Sequence, residues 1–132
     1  MFEKLLIPEN LDLQQIPLIT LAYYGDAVHT LFVRTEYLKR GLETAGNLHK
    51  ICSKSCSASV QADALENSLE FLDEYEKNLL RRARNSKTHK PPKSCDLEIY
   101  KKATAFEVLV GYLVLKKDFE KLKLILEKTI IN

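Results

Sequence analysis

The sequence has little of what marks a disordered, disulfide-bonded or membrane-spanning chain. Its 132 residues include only four Gly and four Pro, so collagen-like and low-complexity chains are excluded. Three Cys, an odd number, cannot form a fully paired disulfide framework. The longest apolar run, 106–115, contains Glu107 and falls short of the roughly 20 apolar residues that span a bilayer. The first residues do not form a secretory signal. We therefore expect a cytoplasmic chain with reduced thiols and no membrane partner.

Composition points to one globular domain. Of the residues, 45% are hydrophobic and 29% are charged, and a chain of this length can bury its own core. We expect a single domain over 1–132, with its core at about 17–130. The net charge of +2 gives no overall basic field of the kind that nucleic-acid-binding domains often carry. The small net charge results from two neighbouring segments of opposite charge. Residues 61–80 include six acids and one base, whereas residues 81–95 include six bases and no acid.

Apolar residues recur at helical spacing along nearly the whole chain, so we predict an all-α helical bundle. Pro17 suits the first turn of a long helix and Gly41 suits the position after its end. Asp73 and Glu76 have the form of a capping box. The predicted helices run from Leu18 to Arg40, from Asn47 with a break at Ser55 to Ser59, from Asp73 past Ala83, from Asp96 to about Lys116 and from Phe119 to Ile130, with a loop from Asn85 to Ser94.

Asp26 and Glu107 stand out because they lie in helices that are apolar on almost every side. A carboxylate buried without a partner is strongly destabilising unless it is protonated. We therefore expect a basic side chain, a second carboxyl sharing a proton, or a cation beside these acids. Gly25 and Gly111 lie close to them, although a glycine inside a helix costs about 1 kcal/mol relative to alanine. Close packing at these glycines would bring both carboxylates to one site, where their oxygens suit Mg²⁺.

Other interpretations of these polar residues stay open. The two acids could instead form structural ion pairs with Arg34 or Lys102. His49, Cys52 and Cys56 could share one helical face, and their side chains are of the types that bind zinc, although a fourth ligand is missing. The simpler interpretation of these three residues is core thiols beside a surface histidine.

The basic stretch that begins at Arg81 predicts contacts with phosphate groups. Lys and Arg side chains neutralise the nucleic-acid backbone without reading its sequence. The alternative is a solvated surface run that pairs with the acidic stretch before it. The candidate RNA-binding residues in this stretch are Arg81, Arg82, Arg84, Asn85, Lys87, Lys90 and Lys93.

Four motifs, in the order of the chain, resemble one family. The segment 21–28, Leu-Ala-Tyr-Tyr-Gly-Asp-Ala-Val, resembles the signature helix of the ribonuclease III catalytic domain. The segment 104–113, Thr-Ala-Phe-Glu-Val-Leu-Val-Gly-Tyr-Leu, resembles the second acidic helix of that family. Two further segments, 48–50 (Leu-His-Lys) and 84–87 (Arg-Asn-Ser-Lys), resemble one branch, Mini-ribonuclease III, which lacks the double-stranded RNA-binding domain. The similarity extends over about 17–130.

The resemblance implies an all-α, homodimeric endonuclease that hydrolyses double-stranded RNA and leaves 5′-phosphate ends. It implies that Asp26 and Glu107 are catalytic and hold Mg²⁺, with Mn²⁺ as a substitute. Tyr23 matches an aromatic residue that packs into the partner subunit, and His49 and Lys50 would add RNA contacts. By analogy, the substrate is the precursor of 23S ribosomal RNA, matured at its 5′ and 3′ ends. A ribosomal protein on that RNA is a further candidate partner.

The chain departs from the full-length family at two positions. Ala22 and Thr104 stand where that family carries a glutamate and an aspartate, a trait that the Mini branch shares. Two rival functions stay open. One is a non-catalytic RNA-binding or assembly factor on the same fold. The other is an all-α, Mg²⁺-dependent nucleotide pyrophosphohydrolase, for which Glu66, Glu70 and Asp73 would form an acidic helix face.

Overall fold

Helices account for the regular structure of the chain. The computed structural model describes residues 2–41, 44–86 and 96–131, and within these ranges it contains no strand. The predicted all-α class is confirmed. No helix in these ranges is long and apolar enough to cross a membrane. Two short 3₁₀-helices, Leu13–Gln15 and Leu69–Phe71, accompany the α-helices. The α-helices are α1 (Phe2–Leu6), α2 (Leu18–Lys39), α3 (Ala45–Ser55), α4 (Ala58–Glu66), α5 (Glu74–Arg84), α6 (Leu97–Lys116) and α7 (Phe119–Glu127).

The ends of the longer helices carry the predicted signals. α2 begins directly after Pro17, and Gly41 follows it with a φ of 72°, a conformation that glycine adopts without steric strain. At the start of α5, the Asp73 carboxylate accepts from the Glu76 N–H at 2.8 Å, and the Glu76 carboxylate accepts from the Asp73 N–H at 2.9 Å. This is the predicted capping box. Asp96 caps α6 by accepting from two N–H groups of its first turn.

The start of α3 differs from the prediction. The helix begins at Ala45 rather than Asn47, because the Thr44 hydroxyl accepts from the Asn47 N–H at 3.1 Å and serves as the N-cap. The predicted break after Ser55 is confirmed, since α3 ends there and the Ser57 hydroxyl caps α4. Single polar side chains therefore decide where both helices begin.

The last helix is shorter than predicted. α7 ends at Glu127, whereas the apolar spacing predicts an end at Ile130. The Thr129 hydroxyl donates to the Leu126 carbonyl at 2.7 Å, and the Thr129 N–H reaches the same carbonyl at 3.0 Å. These bonds close a tighter turn than an α-helix, so the helix stops although the apolar residues continue.

α6 is the central helix of the fold. It packs against α2, α4, α5 and α7, and most of its side chains from residue 103 to residue 114 are buried. A helix that is apolar all round requires neighbours on every side, and the sequence of α6 has this character. The side chains with no exposed surface at its centre are Ala105, Phe106, Leu109, Val110 and Leu113.

Two glycines allow α2 and α6 to touch through their backbones. A Cβ atom added at Gly25 would overlap the Glu107 carbonyl group, and one added at Gly111 would overlap the Leu21 carbonyl group. No side chain larger than a hydrogen atom fits at either position, so glycine sets the distance between the helices at this crossing. The close packing predicted at these two glycines is confirmed.

A buried ion pair joins the start of α5 to α7. Glu76 has no exposed surface, and its Oε1 atom accepts from the Lys121 ammonium at 2.7 Å and from the Asp73 N–H at 2.9 Å. The hydrogen bond to Glu76 raises the pKa of Lys121 and keeps the lysine charged. The other carboxylate oxygen, Oε2, has no partner among the described residues. A buried acid that depends on one lysine becomes strongly destabilising when that lysine is removed.

Replacing Gly25 or Gly111 by alanine should force α2 and α6 apart, because each new Cβ would collide with a backbone carbonyl. We expect either variant to lose about 2–3 kcal/mol of unfolding free energy in urea denaturation, as for other overpacked interiors. Gly46→Ala in α3 is the matched control, since nothing lies within 4 Å of its added Cβ. That control should gain up to about 1 kcal/mol. Equal effects at all three positions would contradict the role of the crossing.

Lys121→Met should lower the unfolding free energy by about 3 kcal/mol, because it leaves the Glu76 carboxylate buried and unpaired. Lys123→Met is the matched control on α7. Lys123 is exposed and lies 3.8 Å from Glu127, so its loss should change stability by less than about 0.5 kcal/mol. Adding Glu76→Gln to Lys121→Met should restore part of the loss, since the amide is uncharged. Similar values for the two lysine variants would show that the buried pair contributes nothing.

Candidate active site

Asp26 and Glu107 lie side by side where α2 crosses α6. Asp26 follows Gly25, and Glu107 supplies the carbonyl group that faces Gly25, so the backbone contact itself brings the two side chains together. The carboxyl groups are close enough to share a hydrogen bond. The fold thus brings both predicted acids to one place.

The two acids face a groove of about 480 Å³ whose walls come from α2, α4 and α6. Ala22 and Thr104, the positions where the full-length family carries carboxylates, also line this groove. Small side chains at these two positions leave the acid pair as the only carboxyl groups among the described residues that line it. Cys56, directly after α3, also lines the groove.

The surroundings of Glu107 favour its protonated form at neutral pH. Glu107 is half-buried, and its pKa rises from 4.5 to about 8, first through burial and then through the hydrogen bond to Asp26 and the charge of Asp26. Asp26 itself is exposed. The expectation that both acids are shielded from solvent is therefore wrong for Asp26, because the packing of α2 against α6 and α3 leaves this position uncovered. The pair can share one proton or, once that proton leaves, bind a cation.

Neither acid pairs with a basic side chain in the described part of the chain. Lys102, one of the two alternative partners, binds Glu66 at 2.9 Å instead. Arg34, the other, takes part in none of the ion pairs formed by the described residues. A second carboxyl group, rather than a base, is thus the neighbour of each acid.

The acidic helix face required by the pyrophosphohydrolase alternative does not form. Glu66 is the last residue of α4, Glu70 lies in the second 3₁₀-helix, and Asp73 is the cap of α5. Two of these carboxylates already have partners, since Glu66 binds Lys102 and Asp73 accepts from the Glu76 N–H. Turns between the elements break the helical spacing on which that prediction depended.

The acid pair fits a hard divalent cation. Mg²⁺ is usually bound by one or two carboxylates and completes its coordination shell with water and phosphate oxygens. Within the described ranges, no three or more His, Cys, Asp or Glu side chains form a group that could hold a metal ion. A cation between Asp26 and Glu107 would therefore depend on water and on substrate oxygens. Positive charge at this point would favour the ionised form of Glu107, which burial and then the neighbouring Asp26 disfavour.

The possible zinc ligands His49, Cys52 and Cys56 lie around a second cavity, of about 410 Å³, between α2 and α3. Burial raises the pKa of both thiols, whereas zinc binds the deprotonated thiolate. Cys52 is buried, His49 is exposed, and both cysteines are free. This arrangement matches core thiols beside a surface histidine. The third cysteine, Cys95, lies outside the described residues.

The candidate RNA-binding residues of the basic stretch are described in part. Arg81 and Arg82 are exposed on the last turn of α5, and Asn85 is exposed directly after it. Arg84 is half-buried, and its guanidinium lies 3.8 Å from the Glu98 carboxylate of α6. Outside the described residues lie Lys87, Lys90 and Lys93.

The basic end of α5 and the acid pair lie next to different turns of α6. Glu98, which contacts Arg84, precedes Glu107 by nine residues, or about 14 Å along the helix. The other two candidate RNA contacts, His49 and Lys50, are exposed on α3. The cavity beside His49 shares Cys56 with the groove.

Tyr23 projects from α2 close to Asp26, with 85% of its surface exposed. At 100° per residue, three more exposed apolar side chains fall within the same sector of α2, about 120° wide. A row of uncovered apolar side chains on one helix is a candidate interaction surface. The three residues are Ile19, Leu31 and Leu38.

A buried polar chain behind the groove has no counterpart in the sequence-based predictions. His29 has no exposed surface, and its ring nitrogens lie 3.1 Å from the Gln61 amide nitrogen and 3.0 Å from the Thr129 hydroxyl. Burial lowers the pKa of His29 to about 4. Gln61 lines the groove together with Asp26 and Glu107. The sequence does show these residues as single polar positions among apolar neighbours. Their spacing does not show that they meet, because they lie far apart in the sequence.

The chain is similar to known proteins over most of its length. The family model described as Ribonuclease III domain matches residues 19–118. A Mini-ribonuclease 3 of Thermoanaerobacter sp. (strain X514) is 39% identical over 85% of the chain and 79% of its own length. That of Staphylococcus aureus is 40% identical over 86% of the chain and 88% of its own length. A crystal structure of a protein from Fusobacterium nucleatum aligns with a TM-score of 0.78 at 34% identity, covering 88% of the chain and 93% of that protein.

The matched segment contains α6 and all of α2 after its first residue, and therefore both acids of the groove. The family match covers far more than half of the chain, and the relatives agree with it in name and in extent. The chain belongs to the ribonuclease III family, in the Mini-ribonuclease III branch, and is an endoribonuclease.

Proposed function

We propose that the chain cleaves double-stranded RNA in the groove between α2 and α6, with Mg²⁺ held by Asp26 and Glu107. The observation that carries this proposal is the contact between two carboxyl groups at the glycine crossing, open to a groove. Such a pair destabilises a fold when it has no cation, because burial and like charge both oppose ionisation. A purely structural scaffold gains nothing from it, which favours an enzyme over a non-catalytic factor on the same fold.

The residues of the groove have different roles in the proposed reaction. A Mg²⁺ ion bound there would supply positive charge against the phosphate and a water of lowered pKa. Glu107 has to release its proton before its carboxylate can bind the ion, since its pKa is about 8. Asp26 offers its oxygens from the exposed side, and Ala22 and Thr104 leave space for an RNA phosphate. Mn²⁺ accepts the same oxygen ligands and is the expected substitute.

Basic side chains at a distance from the acids would hold the duplex. A-form RNA presents a wide, shallow minor groove, and proteins recognise it mainly by shape and through its backbone. The exposed positions on α3 and at the end of α5 suit such contacts, which do not depend on base sequence. The proposed RNA-binding residues are Arg81, Arg82, Arg84, Asn85, Lys87, Lys90, Lys93, His49 and Lys50.

A second copy of the chain would cover the apolar row on α2. Tyr23 lies in this row beside Asp26, so dimerisation would place part of the interface next to the acid pair. Two linked subunits on one rigid duplex also double the number of phosphate contacts, which strengthens binding without any new type of contact. We therefore propose a homodimer with one acid pair per subunit.

The proposed substrate is the precursor of 23S ribosomal RNA, matured at both ends in the cytoplasm, where free thiols such as Cys52 and Cys56 stay reduced. The similarity to proteins named Mini-ribonuclease 3 supports this choice. The test is incubation of the purified chain with precursor RNA, naked or carrying ribosomal proteins, with and without Mg²⁺, followed by mapping of the ends. Duplex binding without Mg²⁺-dependent cleavage would favour the assembly factor. Hydrolysis of nucleoside triphosphates in place of RNA would favour the pyrophosphohydrolase.

Asp26→Asn should reduce cleavage of duplex RNA by more than about 100-fold, because it removes a charged cation ligand at nearly constant size. Duplex binding and the urea midpoint should not fall, since Asp26 is exposed and forms no ion pair among the described residues. Asp63→Asn is the matched control, an exposed acid of α4 outside the groove lining, and should cleave at the wild-type rate. Wild-type cleavage by Asp26→Asn would remove the acid pair from the mechanism.

The unfolding free energy in a chelating buffer should fall as the pH rises from about 4.5 to about 8. Over this range the folded chain retains the Glu107 proton, whereas the unfolded chain releases it near pH 4.5. Glu107→Gln cannot titrate, so it should lack this part of the decline and exceed the wild type in stability above pH 8. Urea denaturation at a series of pH values measures the difference between the two proteins. Parallel curves would show that Glu107 titrates as an ordinary exposed glutamate.

A further inference from the structure

Behind the groove, three buried polar side chains form one hydrogen-bonded chain through the core. Gln61 lies on α4, His29 on α2 and Thr129 directly after α7, with 4%, 0% and 0% of their surfaces exposed. The His29 ring lies 3.1 Å from the Gln61 amide nitrogen on one side and 3.0 Å from the Thr129 hydroxyl on the other. It also packs edge-on against Phe106 of α6, with ring centroids 5.0 Å apart. This packing on all sides holds the ring in one orientation.

The direction of each hydrogen bond in this chain follows from its far end. The Thr129 hydroxyl has one proton, which it donates to the Leu126 carbonyl at 2.7 Å. Its oxygen therefore accepts from the Nε2–H of His29. A neutral imidazole protonated at Nε2 has no proton at Nδ1, so Nδ1 accepts from the Gln61 amide N–H. Burial, which lowers the pKa of His29 to about 4, keeps the ring neutral.

These directions assign the two ends of the Gln61 amide. The nitrogen faces His29, so the carbonyl oxygen is the end that remains for the groove. That oxygen accepts no hydrogen bond from the described residues. Among these residues, the side-chain atom that is both fully enclosed and without a partner is Oε2 of Glu76. The Gln61 oxygen, which also has no partner, is therefore not fully enclosed. Gln61 lines the groove with Asp26 and Glu107. With its nitrogen turned to His29, Gln61 has only its amide oxygen to offer to the groove that contains the acid pair.

We propose that Gln61 is the third oxygen group of the cation site, and that His29 and Thr129 are positioning residues that hold its amide oxygen toward the groove. The inference rests on the proposed cation site at Asp26 and Glu107. Amide oxygens bind hard cations or their water molecules. An amide is also uncharged, so it adds an oxygen without adding to the repulsion between two carboxyl groups already in contact.

Packing alone does not account for the buried chain. Apolar side chains at the same three positions would fill similar volumes without removing polar groups from water, which is unfavourable even when those groups are paired. The hydrogen bonds of the His29 ring and of the Thr129 hydroxyl have one consistent set of directions, and that set gives the Gln61 amide one orientation. Residues that fix the orientation of a metal ligand do not touch the metal, but their loss still weakens metal binding.

Binding of Mn²⁺ to the purified, RNA-free protein, followed by electron paramagnetic resonance, tests the proposal without relying on cleavage. Gln61→Leu should weaken Mn²⁺ affinity about tenfold. Thr129→Val should weaken it several-fold, although Thr129 lies behind the groove, because the ring and the amide can then turn. Gln61→Glu retains an oxygen at this position and should bind Mn²⁺ at least as tightly as the wild type. It also serves as a second test should Gln61→Leu not fold.

A spectroscopic signature accompanies these variants. The nitrogen NMR shifts of His29 in the wild type should be those of a neutral ring protonated at Nε2. In Gln61→Glu the new carboxylate has no proton to donate to Nδ1, so the ring should take up a proton and change its shifts at a pH where the wild-type ring is neutral. A ring in the other tautomer in the wild type would overturn the assigned direction of the chain.

Ser68→Ala is the matched control for loss of a buried hydroxyl, since Ser68 has no exposed surface and donates to the Ala64 carbonyl at 2.6 Å. It should bind Mn²⁺ like the wild type. If Gln61→Leu and Thr129→Val also do so, the inference about Gln61 is wrong while the proposed function stands. If the wild type binds no Mn²⁺, or if Asp26→Asn binds it equally well, the cation site at the acid pair is wrong, and the proposed function fails with it.

Discussion

The backbone contact between α2 and α6 at Gly25 and Gly111 constrains the rest of the molecule. Each glycine faces a carbonyl group of the other helix, so neither helix can rotate or slide at the crossing without a collision or a gap. The same contact places Asp26 next to the backbone of Glu107. It also fixes α6 in the centre, where α4, α5 and α7 pack against its remaining sides. One interaction between two backbones therefore closes the core and positions the acids of the groove.

The groove combines a pair of carboxyl groups that opposes folding when it is ionised with hydrogen-bonded polar side chains behind that pair. Burial and the neighbouring carboxyl raise the pKa of Glu107 to about 8, which means that the folded chain resists the ionised pair. Behind the pair, hydrogen bonds link Gln61, His29 and Thr129, and these three side chains add no charge. The apolar side chains at the centre of α6 supply stability elsewhere. Carboxyl groups whose pKa is shifted by burial and by a neighbouring charge occur often at functional sites.

Much of the fold is predictable from neighbouring residues, because its helices begin and end on local signals. The capping box of α5 involves Asp73 and Glu76, three positions apart, and the glycine after α2 is visible in the same way. The errors occur where a single hydroxyl decides a boundary, as Thr44 does for α3 and Thr129 for α7. α1 and the two 3₁₀-helices are each too short to show a helical period. Periodicity predicts long elements well, and hydrogen bonds of individual side chains set their ends.

The sequence by itself determined which acids are candidates for the site, and only the tertiary structure decided how they meet. An acid in an apolar helix is visible without coordinates, since Asp26 and Glu107 each break a run of hydrophobic neighbours. Their contact, the exposure of Asp26 and the raised pKa of Glu107 depend on which faces of α2 and α6 touch. The spacing of the sequence does not link Gln61, His29 and Thr129, because these residues come from three separate parts of the chain. Composition and spacing report on single helices, whereas hydrogen-bond direction, burial and the proximity of like charges exist only after the helices pack.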